Sequence, residues 1–117
     1  MKLLVVVRLS PNNKQLHELV VSALKNIIDK GDLISSVFFT DDSVGIAQKD
    51  ADRNVNFKEI QQKYIELLEK ASIKLLVCGK AFRDKGYDVA DIHPQFILSG
   101  NSELTADFLS VDRTLEF

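Results

Sequence analysis

The sequence predicts a single α/β domain in which a mainly parallel sheet of about five strands carries helices on both faces. Short apolar runs rich in β-branched residues alternate along the chain with segments whose apolar residues recur every three or four positions. The chain has 117 residues, of which 45% are hydrophobic and 27% charged, as is typical of one globular domain. No linker, repeat or low-complexity segment interrupts it, so we expect one domain over residues 1–117.

The first 39 residues predict a strand, a helix and a second strand. Residues 3–7 are continuously apolar, as in a strand covered on both faces. A helix follows and ends at Gly31. Its apolar stripe comprises Leu16, Leu19, Val20, Ala23, Leu24, Ile27 and Ile28. His17 lies off this stripe, so we expect it on the surface. Residues 33–39 predict the second strand.

The polar segment 41–56 predicts a long loop with a helical turn near residues 44–48. A second amphipathic helix follows, and its stripe comprises Phe57, Ile60, Tyr64, Leu67, Leu68 and Ala71. Asn56, with Glu59 three residues later, predicts a capping box at the start of this helix. The aspartates of the loop lack the spacing of a calcium loop, so we expect a solvated segment and no metal site. They are Asp41, Asp42, Asp50 and Asp52.

The last third of the chain predicts three more strands and two more helices. A buried strand over residues 73–77 ends at Cys78-Gly79, and a short helix over residues 80–85 ends at Gly86. After a loop over residues 88–95, residues 96–98 predict a short strand. The next helix is capped by Ser99 or Asn101 and turns Leu104, Phe108 and Leu109 inward. The alternation over residues 111–117 predicts a final strand with one wet face.

Cys78 is the strongest candidate for a catalytic residue. Ligands of open parallel sheets bind beyond the carboxyl ends of the strands, and Cys78 is the only nucleophile that directly follows a predicted strand there. A helix beginning after Cys78 would favour the thiolate through its unpaired backbone N–H groups, and Lys80 and Arg83 would add positive charge. The alternative is an unreactive buried thiol, because free cysteine is among the most buried residue types. As the only cysteine, Cys78 makes any sulfur chemistry intermolecular.

Other kinds of site have weaker support. Residues 8–13 contain no glycine-rich phosphate loop, so we expect no nucleotide or flavin cofactor. His93 precedes Pro94 in a loop and is a weak candidate to assist the thiol. A basic group could dock an acidic partner or RNA, but a solvated helix face explains it better, and the net charge of −2 predicts no direct contact with nucleic acid. This group is Lys74, Lys80, Arg83 and Lys85. The short apolar runs predict neither a signal peptide nor a membrane span, so we expect a cytoplasmic protein.

Four segments together resemble a known family. They are residues 1–7, residues 33–39, the motif Val77-Cys78-x-x-Ala81, and Phe96-x-Leu98-Ser99-Gly100 continuing to Asp112-Arg113 and Phe117. Their order and spacing are similar to those of the DsrE-like family of small sulfur-relay proteins, most nearly its TusD-like members. The segment after the cysteine departs from the family, because Gly79-Lys80-Ala81-Phe82 stands where small apolar residues are common.

The resemblance implies a sulfurtransferase that holds a persulfide on Cys78, with no cofactor and no metal. It implies an upstream sulfur-carrier protein, a downstream sulfur-acceptor protein and homologous small subunits in a hetero- or homo-hexamer, in the relay for 2-thiolation of the tRNA wobble uridine. Two alternatives stay open. One is a subunit of dissimilatory sulfur oxidation with the same cysteine chemistry, and the other is a non-catalytic structural subunit of a related hexamer.

Overall fold

The computed structural model of the chain describes the backbone of residues 1–49 and 55–117, and their side chains except at residues 55, 56 and 101–103. The strands are β1 (Lys2–Val7), β2 (Leu33–Phe39), β3 (Lys74–Cys78), β4 (Phe96–Ser99) and β5 (Arg113–Glu116). The helices are α1 (Lys14–Asp29), α2 (Val55–Ala71), α3 (Gly79–Asp84) and α4 (Asn101–Ser110). Two 3₁₀ segments cover Asp41–Ala47 and Val89–Asp91.

The five strands form one parallel sheet in the order β4-β3-β2-β1-β5. The α/β fold with a parallel sheet is therefore confirmed. Gly31 and Gly86 have φ angles of 95° and 88°, in the left-handed region that glycine adopts freely, and both follow the ends of helices as expected. None of the helices in residues 1–49 and 55–117 is both long and apolar enough to cross a membrane.

The two faces of the sheet are covered unequally. The larger core lies on the face that packs against α1 and α2, where Val5, Leu24 and Tyr64 are fully buried. On the opposite face, Leu4 and Phe38 belong to a much smaller cluster, against which Leu104 of α4 packs. Alternate residues of β1 enter the two clusters, as the strand period of two requires. Helices therefore lie on both faces of the sheet, but on the face beneath α4 the side chain of Ile97 stays exposed.

The strand β5 joins the end of the chain to its beginning. It pairs with β1 from Leu3 opposite Arg113 to Val6 opposite Glu116. Two backbone contacts extend the pairing: the N–H of Asp112 donates to Lys2 O at 2.8 Å, and the N–H of Arg8 donates to Phe117 O at 2.7 Å. As a result β1 lies inside the sheet, between β2 and β5.

Two helices are rotated relative to the predicted stripes. In α1, Leu16 and Leu19 are 46% and 67% exposed, while His17, Val20, Val21 and Leu24 face inward. In α4, Phe108 and Leu109 are 57% and 79% exposed, so their predicted inward position is wrong. The inward side of α4 instead presents half-buried Leu104 and Asp107, whose carboxylate accepts a long hydrogen bond of 3.4 Å from Ser36 Oγ.

Both predicted helix caps are wrong. Helix α2 begins at Val55, so Asn56 lies inside the helix, and Glu59 forms an ion pair with Lys14 of α1 instead of closing a capping box. Helix α4 begins at Asn101, and Ser99 is the last residue of β4, so neither occupies the position before the helix. The predicted helical turn near residues 44–48 is present within the 3₁₀ segment Asp41–Ala47, but residues 43–47 are buried instead of solvated. Residues 50–54 of the predicted loop lie outside the described residues.

Candidate functional site

Cys78 stands at the carboxyl edge of the sheet. It is the last residue of β3, where it pairs with Ser99, the last residue of β4, and α3 begins at the next residue. The side chain is half-buried, and its Sγ accepts a hydrogen bond from the backbone N–H of Ala81 at 3.5 Å. The sulfur thus caps α3 and receives an N–H group that would also stabilise a negative charge on it.

An open pocket of about 410 Å³ lies beside Cys78. Its lining consists of Cys78, Gly79, Lys80, Arg83, Leu98, Ser99 and Gly100. A Cβ on Gly79 would stand 3.0 Å from Leu98 Cδ1, closer than ordinary van der Waals contact, so glycine permits the approach of Leu98 to the pocket. None of these described lining residues is a carboxylate.

The pocket includes residues that sequence analysis did not assign to the site. Leu98, Ser99 and Gly100 come from the end of the strand beside β3 and from the turn that follows it. The register of Cys78 with Ser99 brings them to the thiol, and this register follows from strand order. The carboxyl ends of parallel strands meet at one edge of the sheet. The residues that follow the predicted strand 96–98 could therefore have been identified as neighbours of the thiol.

Ion pairs occupy the carboxyl edge away from Cys78. Arg8 Nη1 lies 2.7 Å from Asp41 Oδ2, and its Nη2 lies 3.7 Å from Glu116 Oε1. Lys85 Nζ lies 2.5 Å from Asp42 Oδ1. The hydrogen bonds to Asp41 and Asp42 raise the pKa values of Arg8 and Lys85 respectively. The two loop aspartates therefore hold neighbouring basic side chains, while Asp50 and Asp52 lie outside the described residues.

The four basic residues singled out in the sequence do not form one patch. Lys74 is at the opposite end of β3 from Cys78. Lys85 pairs with Asp42, and Lys80 lies 3.6 Å from Asp84 of its own helix. Arg83 and Lys80 are the two that line the pocket beside the thiol.

His93 is placed away from the thiol. Its Nδ1 accepts from the backbone N–H of Gln95 at 3.1 Å, and its ring packs edge-on against Phe96. Phe96 pairs with Leu75 at the beginning of β3, whereas Cys78 ends that strand. Each strand residue advances about 3.3 Å, so the beginning of β4 lies well away from Cys78. His93 precedes that beginning and is therefore remote from the thiol.

His17 is completely buried, so its predicted surface position is wrong. Its Nε2 lies 3.1 Å from both Leu9 O and Ser10 O, and its Nδ1 lies 2.9 Å from the hydroxyl of Tyr64. Because carbonyl oxygens only accept, Nε2 carries the proton and Nδ1 accepts from Tyr64. These bonds satisfy the imidazole in the interior and tie α2 to the connection between β1 and α1.

Protonation of His17 is expected to weaken the fold. Desolvation lowers its pKa below the usual 6.5, so the unfolded chain takes up the proton first as the pH falls. The stability contributed by neutral His17 is therefore complete above pH 6.5 and is lost as the pH falls through 6.5 toward the pKa of the folded state. We expect the urea midpoint to decrease between pH 7.5 and pH 5.5 by more in the native protein than in His17→Gln.

The comparison isolates His17 because His93 titrates in both proteins. Burial lowers the pKa of His93 as well, but this contribution cancels between them. Parallel profiles of urea midpoint against pH for the two proteins would contradict the prediction.

The arrangement around Cys78 suits attack by a thiolate. The sulfur is half-exposed, an open pocket stands beside it, and cationic side chains line that pocket. Among the residues that the structure describes, no group of three or more His, Cys, Asp or Glu side chains is placed to hold a metal ion.

Comparison with known proteins agrees with this architecture over the whole chain. The chain is 26% identical, over an alignment 129 positions long, to DsrE of Allochromatium vinosum, whose name ascribes sulfurtransferase activity to it; the match covers 100% of this chain and 98% of that protein. The crystal structure of the ychN protein from E. coli superposes with a TM-score of 0.71 at 16% identity, covering 100% and 99% of the two chains. The structure of the protein MTH1491 from Methanobacterium thermoautotrophicum superposes with a TM-score of 0.74 at 15% identity, covering 99% of this chain and 98% of that one. A model of the DsrE/DsrF-like family matches residues 1–117, and the chain belongs to that family.

Proposed function

We propose that the protein is a sulfurtransferase subunit that carries sulfur as a persulfide on Cys78. Its family and the sulfurtransferase name of its Allochromatium vinosum relative support a sulfur-relay role. The observation that carries the assignment to Cys78 is the position of its sulfur, half-exposed beside an open pocket at the carboxyl edge of the sheet. A purely structural cysteine is typically fully buried, whereas Cys78 is only half-buried.

Sulfur transfer at Cys78 proceeds by two exchanges. The Cys78 thiolate attacks the outer sulfur of a donor persulfide R–S–SH, a new S–S bond forms, and the donor's own S–S bond breaks. Its electron pair leaves on R–S⁻, and the product is Cys78–S–SH. An acceptor thiolate then attacks the outer sulfur of that product and releases the Cys78 thiolate. The two steps cause no net oxidation, so they require no cofactor.

The single cysteine requires that the sulfur donor and the sulfur acceptor be other molecules. An upstream sulfur-carrier protein delivers the sulfur, and a downstream sulfur-acceptor protein removes it, because the chain has no second thiol. Homologous small subunits complete a hexamer, for which Ile97, Phe108 and Leu109 supply exposed apolar surface. As in TusD-like proteins, the relay ends at 2-thiolation of the tRNA wobble uridine. The net charge of −2 favours RNA contact by a later component.

A second candidate function is dissimilatory sulfur oxidation. It uses the same persulfide chemistry at Cys78, and the match to DsrE of Allochromatium vinosum, which is named as a sulfurtransferase, is compatible with it. The two candidates differ in acceptor. Deletion of the gene removes 2-thiouridine from tRNA in the first case, whereas in the second it leaves tRNA unchanged and impairs growth on reduced sulfur compounds.

Persulfide loading tests the proposal directly. The protein is incubated with a cysteine desulfurase, an upstream sulfur carrier and cysteine, and mass spectrometry of the intact protein and its peptides follows. We expect one added sulfur atom on the peptide that contains Cys78, removable by dithiothreitol and absent when the desulfurase is omitted. A protein that stays unmodified while the carrier becomes loaded would falsify the proposal and favour a non-catalytic subunit.

A further inference from the structure

Positive charge at the carboxyl edge of the sheet is neutralised unevenly. Four basic side chains lie along this edge: Arg8, Lys80, Arg83 and Lys85. Arg8 pairs with two carboxylates, Lys85 pairs with Asp42, and Lys80 has Asp84 within 3.6 Å. Among the side chains that the structure describes, none forms an ion pair or a hydrogen bond with the Arg83 guanidinium. The uncompensated charge is therefore at the end of the edge that holds Cys78.

The position of Arg83 brings this charge to the pocket. Arg83 lies one helical turn after Gly79, and its Nη1 is 3.5 Å from the point that a Cβ on Gly79 would occupy. Leu98 closes on the same point at 3.0 Å, so the pocket has an apolar wall as well as a cationic group. Because none of the described lining residues is a carboxylate, an anion entering the pocket meets a guanidinium that is free to pair.

We propose that Arg83 makes this pocket selective for sulfur donors that carry negative charge beside the transferred sulfur, such as inorganic polysulfide. The inference rests on the proposed function of Cys78. A thiolate and an anionic donor repel each other as they approach, and the guanidinium offsets that repulsion. Arg83 is thus a specificity-determining residue of the site.

The reaction of Cys78 with tetrasulfide, an anionic sulfur donor, is an example of the transfer that Arg83 would favour. The Cys78 thiolate attacks one terminal sulfur of S₄²⁻, and a Cys78–S–S⁻ persulfide forms. The bond between that sulfur and the other three breaks, and its electron pair leaves with S₃²⁻. Charge is conserved at three negative units, and both anions formed can remain beside the guanidinium.

Two alkylating agents of similar size and different charge measure the selectivity without any sulfur transfer. Iodoacetate is an anion and iodoacetamide is neutral, and both alkylate the same thiolate with loss of iodide. Arg83→Gln is expected to lower the rate constant for iodoacetate, relative to that for iodoacetamide, by about 3- to 10-fold. The ratio cancels any change in the amount of thiolate. Arg83→Lys should restore most of the ratio, and 1 M salt should reduce the difference between native protein and Arg83→Gln.

Lys80→Gln is the matched control. Lys80 lines the same pocket but already has Asp84 beside it, so its removal is expected to change the ratio by less than about 2-fold. An unchanged ratio in Arg83→Gln, or an equal change in both variants, would overturn the role of Arg83.

Loading with sodium tetrasulfide separates this inference from the proposed function. Persulfide formation on Cys78 that is slower in Arg83→Gln by a factor similar to that for iodoacetate supports the selectivity. Equal loading of the two proteins would overturn it and leave the proposed function intact. If native protein forms no persulfide with tetrasulfide or with the desulfurase and carrier, the proposed function is wrong, whatever the alkylation ratio shows.

Discussion

Cys78→Ser is expected to lower sulfur transfer by at least about 1,000-fold while the protein stays folded. A serine oxygen cannot hold the transferred sulfur as a persulfide, so both exchanges stop. The fold should change in stability by less than about 1 kcal/mol, because the side chain is half-buried and a hydroxyl can accept the N–H of Ala81 as the sulfur does. The rate of persulfide transfer to an acceptor thiol and the urea midpoint measure the two effects.

Ser99→Ala provides the matched control. It removes a hydroxyl from the same pocket, opposite Cys78 on the neighbouring strand, and leaves the thiol in place. We expect it to retain transfer within about 3-fold, since the contact of its Oγ within the described part of the chain is a long one of 3.4 Å with Gly100 O. Sulfur transfer by Cys78→Ser at the native rate would contradict the assignment of the carrier site to Cys78.

Phe39→Ala is expected to reduce the free energy of unfolding by about 3–5 kcal/mol. The Phe39 side chain is fully buried, and its ring lies edge-on to Tyr64 at 4.9 Å and tilted against Phe96 at 5.6 Å between centroids. Alanine leaves a cavity that these neighbours cannot fill without moving β4 or α2. Small domains have only about 5–15 kcal/mol of stability, so the loss should be obvious in urea unfolding.

Phe108→Ala makes the same chemical change on the outside of α4. Phe108 is 57% exposed, so its truncation should cost no more than about 0.5–1 kcal/mol in the isolated chain. Equal losses at the two positions would show that Phe108 is enclosed by other parts of the fold, contrary to its observed exposure.

Local sequence patterns predict the strands better than the orientations of the helices. The predicted β2 agrees with the observed strand at both ends, because Asp32 before it and the polar residues from Thr40 onward mark its limits. In α1 the expected face was rotated, since the burial of His17 depends on carbonyl oxygens of a different segment and on Tyr64, 47 residues away. No helical periodicity contains that information.

The candidate site likewise has one part that the sequence predicts and one part that it does not. Cys78 could be located because it directly follows an apolar strand, which requires only the order of elements along the chain. The free charge of Arg83 could not be predicted, because it depends on which of four neighbouring cations find carboxylates. Those pairings join residues as distant as Asp42 and Lys85, and they follow from strand order and side-chain reach.

The pairing of β5 with β1 delays completion of the fold during synthesis. One edge of β1 can pair with β2 once about thirty more residues have been synthesised. Its other edge stays unpaired until Arg113–Glu116 is available. The bond from Lys2 N–H to the Asp112 carboxylate spans 110 positions of sequence, among the costliest kinds of loop to close. On the ribosome, β1 therefore presents an open edge until the last strand leaves the exit tunnel, and protection of that edge by a chaperone would matter most in this interval.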